Sequence, residues 1–69
     1  MSFQRRKIMQ ALADRGFSVL REGSSHTIVG VEGGNRAPVP RHKEINRLTA
    51  RSIARSLDIE WKDFERDIR

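Results

Sequence analysis

The sequence has no cysteine and only two histidines in 69 residues. Without cysteine there are no disulfide staples and no thiolate zinc sites. Two histidines among scattered carboxylates do not make a metal cluster, and no cofactor is called for. Long apolar runs are also missing. No stretch approaches the roughly 20 consecutive apolar residues of a membrane-spanning helix. The first residues, MSFQRRKIMQALADRGF, lack the uninterrupted apolar core of about 7–15 residues that a secretory leader needs. Gln10 and Asp14 interrupt the pattern, which reads as an amphipathic helix. The expectation is a cytoplasmic protein with no membrane association. A chain of 69 residues has room for one domain and a modest core, here 1–69 with 59–69 as a short helical tail. Stability must come from packing, or in part from a partner.

Charge is present in excess of one sign. Lys plus Arg total 14 against nine acids, a net of +5. Residues 1–57 carry 11 Lys/Arg and four acids, giving +7. Residues 58–69 carry three Lys/Arg and five acids, giving −2. A basic body with an acidic tail suits a polyanionic partner, nucleic acid first. Many small proteins are nevertheless basic without touching RNA.

Ser2 can cap a helix, and Gly16 can end one in the left-handed conformation. Between them Ile8, Met9, Ala11 and Leu12 share one face at helical spacing. Residues 17–21 read as a strand, Gly23-Ser24-Ser25 as a turn, and the β-branched run 26–31 as a second strand. Gly33-Gly34-Asn35 is a turn signal. A third strand over 36–40 carries both prolines of the chain, so it should sit at an edge or end quickly. After a loop over 41–44, Asn46 is a plausible cap for a helix. On it Leu48, Thr49, Ser52, Ile53, Ser56 and Leu57 share a face, while Arg47, Arg51 and Arg55 stack on another. Ile59 to Ile68 suits a short final helix.

Helix, three antiparallel strands, helix is an α+β order. Both helices on one sheet face make a two-layer α-β-β-β-α sandwich, similar to double-stranded-RNA-binding domains, with a short C-terminal helix. The other sheet face, or its rim, is left for a ligand. The expected core is Ile8, Leu12, Phe17, Val19, Ile28, Val39, Leu48, Ile53 and Leu57.

Read together, DRGFSVLREGSSHTIV and APVPRHKEINRLTARSIARSLDI resemble the HicA toxins of bacterial toxin–antitoxin pairs. Gly16-Phe17 fits the family's helix end, and Ser24-Ser25-His26 fits its Gly-Ser-His turn, with Ser24 where glycine is usual. Val39-Pro40-Arg41-His42 fits its Val-Pro-x-His stretch. The resemblance implies a small ribonuclease that cuts messenger RNA, an mRNA interferase neutralised by a HicB-like antitoxin, with His26 catalytic.

The chemistry is consistent with the residue type. RNA is cut when its own 2′-hydroxyl attacks the adjacent phosphate. A base takes that proton, an acid protonates the leaving 5′-oxygen, and positive charge steadies the transition state. No metal is required, and histidine serves either proton role at neutral pH. On residue type alone, a lone strand histidine is more often a half-exposed residue with no task. His42 is a second proton-transfer candidate or a residue that orders its loop. Candidate RNA contacts are Ser24, Ser25, Arg36, Arg41, Lys43, Arg47 and Arg51. The arginine stripe either tracks phosphates or is the solvated face of an amphipathic helix. Trp61 and Phe64 more often dock on a core than stack on bases. Two other functions compete: an RNA-binding module of the same fold without catalysis, and a protein-interaction domain.

Overall fold

Phe3 decides how the chain starts. The computed structural model describes residues 1–69, and its first element is a strand, β1 (Ser2–Gln4), rather than a helix turn capped by Ser2. Phe3 is 3% exposed and pairs in register with Ile45, also buried, on β5 (Glu44–Asn46). The expected loop over 41–44 is therefore shorter, since residue 44 already belongs to this two-stranded antiparallel sheet. Burying two apolar side chains outweighs extending the helix by one turn.

The first helix, α1 (Arg5–Asp14), begins without a side-chain cap. Its Arg5 N–H donates instead to the Lys43 carbonyl at 2.8 Å, so β5's lead-in does the capping. Ile8, Ala11 and Leu12 are its buried face. The helix stops as expected at Gly16, whose φ is +89°. Gly16 N–H donates to the Ala13 carbonyl and Phe17 N–H to the Leu12 carbonyl, the paired bonds of a Schellman ending.

Three strands follow, β2 (Ser18–Glu22), β3 (His26–Gly30) and β4 (Arg36–Pro40), antiparallel in the order β2-β3-β4. Strand alternation sends Thr27, Val29, Ala37 and Val39 inward, all buried. His26 lies opposite Pro40 and Ile28 opposite Pro38 on the other face. The prolines sit on an edge strand, as their missing donors require. Gly30 is obligatory, because a Cβ there would stand 2.2 Å from the Asn35 carbonyl oxygen. In β2 the register shifts between Val19 and Arg21. That bulge leaves Val19 48% exposed, so it is not the core residue its alternation suggests. Phe17 and Ile28 are only half-buried.

The second helix, α2 (Arg47–Ser56), is capped by Asn46, whose side-chain oxygen accepts from Thr49 N–H at 2.8 Å. It lies against β4 on a face made of Ala50, Ile53 and Ala54, continued by Leu57. Leu48, expected in the core, is 79% exposed. Two alanines let the helix approach the sheet closely, and that rotation carries Leu48, Thr49, Ser52 and Ser56 away from the interior. The helix ends in a second Schellman pair, Asp58 N–H to Arg55 O and Ile59 N–H to Ala54 O, with Asp58 at φ 59°.

The last helix, α3 (Trp61–Ile68), packs on α1 and α2. Phe64 and Ile68 enter the core, and Trp61 is half-buried edge-on to Phe3 at 6.0 Å between centroids. The architecture is thus the expected α+β, α-β-β-β-α sandwich with a C-terminal helix, supplemented by the β1–β5 pair. One cluster of 14 buried side chains joins all its layers. No helix is long and apolar enough to cross a membrane.

Candidate functional site

His26 is the first residue of β3 and is exposed on the outer sheet face. The turn before it is tight: Gly23 N–H donates to the His26 carbonyl at 2.8 Å. A Cβ on Gly23 would come within 3.0 Å of that same oxygen, so glycine suits the close approach. Ser24 and Ser25 are exposed in the turn. Ser25 Oγ lies 3.2 Å from His26 Nδ1. The Ser25 carbonyl accepts from Arg41 N–H at 3.2 Å, tying the turn to the end of β4.

Beneath this corner runs a polar network. Arg5 reaches from the start of α1, donating from Nε to the Pro40 carbonyl at 2.9 Å and from Nη2 to Thr27 Oγ1 at 2.7 Å. Thr27 is fully buried and donates in turn to Glu22 Oε1 at 2.8 Å. Arg41 closes the chain with a charge-assisted bond to the same Glu22 oxygen. Glu22, Thr27 and Pro40 are the strand ends around His26. A buried hydroxyl paired on both sides pins three strands and one helix at this corner.

His26 also forms one end of a groove of about 310 Å³ that wraps over the β4 edge. Pro38 and Pro40 line one wall; Thr49, Ser52 and Ser56 of α2 line the other, and Ile53 is at its base.

The other residues singled out in the sequence are spread more widely. Arg41 stands beside the site, engaged by Glu22. His42 is exposed in the bend between β4 and β5 and makes no side-chain hydrogen bond; it lies two residues beyond Pro40, the partner of His26. Lys43 borders a separate concavity of about 570 Å³ with Gln4, Arg5, Arg6 and Glu44. Arg36 is at the far end of β4, opposite Gly30. Arg47 and Arg51 face away from His26 altogether. Their guanidinium carbons stand 5.4 and 5.5 Å from the Trp61 ring centroid, and Arg47 pairs with Glu65 at 2.6 Å. Arg47 and Arg51 of the arginine stripe are thus engaged in docking α3.

Sequence reasoning gave no structural role to Arg5, which reads there as solvent-facing charge or an RNA contact, or to Thr27 and Glu22, and it set Thr49, Ser52 and Ser56 on the same face as Leu48, Ile53 and Leu57. A row of hydroxyls beside an exposed leucine was the available signal that this helix face is not interior. Nowhere do three His, Asp or Glu side chains converge as a metal ion would need.

A family model described as the HicA toxin of bacterial toxin–antitoxin systems matches residues 5–59. The match takes in α1, the three-stranded sheet, His26, His42 and α2, and stops before α3. No curated protein and no solved structure matches the chain.

Proposed function

Because the chain belongs to the HicA toxin family, we propose that it is a metal-independent endoribonuclease cutting messenger RNA, with His26 as its general acid or base. The observation that carries this reading is the imidazole itself: exposed at a sheet corner, held at Nδ1 by Ser25, with Nε2 open to a phosphodiester.

In the reaction the ribose 2′-oxygen attacks the neighbouring phosphorus as its proton passes to a base. The P–O5′ bond breaks, and the 5′-oxygen takes a proton from an acid. The products are a 2′,3′-cyclic phosphate and a free 5′-hydroxyl. His26 Nε2 serves one of the two proton transfers, and His42 in the neighbouring bend is the candidate for the other. Arg41, directly after Pro40, supplies positive charge next to the phosphate, and Ser24 and Ser25 offer hydroxyl donors. The protein acts in the cytoplasm, where messages are, and is held in check by a HicB-like antitoxin.

The test is cleavage of RNA by purified protein in EDTA. The wild type should cut, and His26→Ala should lower the rate by about 10²–10⁴-fold, the usual worth of general acid–base help. Expression should arrest growth, and the same substitution should relieve the arrest. RNA binding with no cleavage would instead favour a non-catalytic RNA-binding module. Toxicity that survives His26→Ala would remove the imidazole from the mechanism.

A further inference from the structure

The groove running from His26 over the β4 edge has a lining unlike the rest of the surface. A third of the chain's residues are charged, yet no Lys, Arg, Asp or Glu lines this groove. Its walls are three hydroxyls, Thr49, Ser52 and Ser56, facing two proline rings, Pro38 and Pro40. From His26 inward, the chemistry passes from a proton carrier to neutral donors, acceptors and carbon surface.

We infer that this groove is the nucleoside subsite of the proposed ribonuclease, holding a ribose and base next to the phosphodiester that is cut at His26. The inference rests on the ribonuclease reading and extends it to the substrate. Three physical arguments support it. A groove for phosphate would carry cations, whereas a neutral lining of hydroxyls and proline rings suits a sugar and a base. Its volume of about 310 Å³ is at the small end of the roughly 300–1,000 Å³ range of ligand pockets, fitting one nucleoside rather than a duplex. Finally, the edge it borders cannot readily recruit another strand, because Pro38 and Pro40 lack the N–H groups that strand addition uses. That disfavours addition of a partner's strand along this edge.

The second helix reinforces the assignment. Ser52 and Ser56 follow Leu48 at successive four-residue steps, so an exposed leucine continues the same stripe. Leu48 at the end of that stripe offers an apolar surface for the next base along a single strand.

The decisive experiment fills the groove from the helix side. Ser52→Leu places a good helix former at an exposed position, so the fold should be retained, as checked by circular dichroism and thermal melting. Ser52→Ala and Thr49→Val remove hydroxyls without adding bulk and keep the test alive if Ser52→Leu fails to fold. Gln10→Leu, at an exposed position of α1 outside the groove lining, controls for surface hydrophobicity. Two readouts are taken: KM and kcat for a single-stranded RNA, and binding of the same oligonucleotide with 2′-deoxy substitution, which cannot be cut. Ser52→Leu should raise KM and weaken binding about tenfold, equivalent to about 1.4 kcal/mol, with Gln10→Leu unchanged. Wild-type kinetics and binding in Ser52→Leu, or in both hydroxyl-removal variants if it does not fold, would overturn the subsite and leave the ribonuclease standing. Groove-dependent binding without any cleavage by the wild type would keep the subsite and remove the nuclease. A wild type that neither binds nor cuts would overturn both.

Discussion

An imidazole on the outer face of a small sheet has little packing to orient it, so the backbone beneath must be rigid. Arg5 provides that rigidity. Its guanidinium forks between the Pro40 carbonyl and Thr27 Oγ1, two groups that sit 35 and 22 residues away in the chain. Arg5→Ala should lower stability by about 1.5–3 kcal/mol, the usual worth of hydrogen bonds from a charged donor, read from a urea midpoint. Arg5→Lys should recover little, because a single ammonium cannot reproduce the fork. His26 was legible in the sequence because its signals are local: a glycine, two serines and the start of a β-branched run. Arg5 was not, because a lone arginine near the start of a helix carries no mark of a threonine two strands away.

At the scale of single elements, both main helices end by the same device with different residues. Gly16 occupies the left-handed position after α1 and Asp58 the equivalent one after α2. Gly16→Ala meets no neighbour within 4 Å, so its cost is conformational, about 1 kcal/mol. Asp58→Gly should have the opposite sign and raise stability by about 0.5–1 kcal/mol by relieving a side chain from that conformation. Thermal melts of the two variants should move in opposite directions. Element order, the edge placement of the prolines and the Asn46 cap could all be read from residue type. The rotation of α2 could not. Its leucine and serines suggested one buried face, while two alanines, individually weak signals, proved to be the contact with the sheet. The β1–β5 pair was hidden for a similar reason. Three residues around Phe3 are too few for periodicity to speak, and only a partner more than 40 positions away gives them an extended shape.

Across the whole molecule, the acidic tail and the basic body are mated. Arg15 pairs with Asp67 at 2.8 Å, Arg47 pairs with Glu65, and Trp61 lies under Arg47 and Arg51. The +7 of residues 1–57 therefore overstates the cationic surface that the body leaves free. Affinity for single-stranded RNA should fall with salt at a log–log slope of about −0.7 per phosphate engaged. Arg47→Gln and Arg51→Gln should lower the melting temperature while leaving that slope unchanged; a slope shallower by about 0.7 for each would return these arginines to the RNA surface. Phe64 is fully buried between the body and the tail, so Phe64→Ala should cost about 3–5 kcal/mol. Total stabilities run only about 5–15 kcal/mol. That loss should leave a measurable unfolded fraction at 37 °C by circular dichroism. The way α1 leans on α3 has a last consequence in time. A ribosome must carry synthesis through α3 before the interior can seal, because no shorter nascent piece holds both halves of that contact. Translation intermediates should stay sensitive to protease until elongation has passed that point.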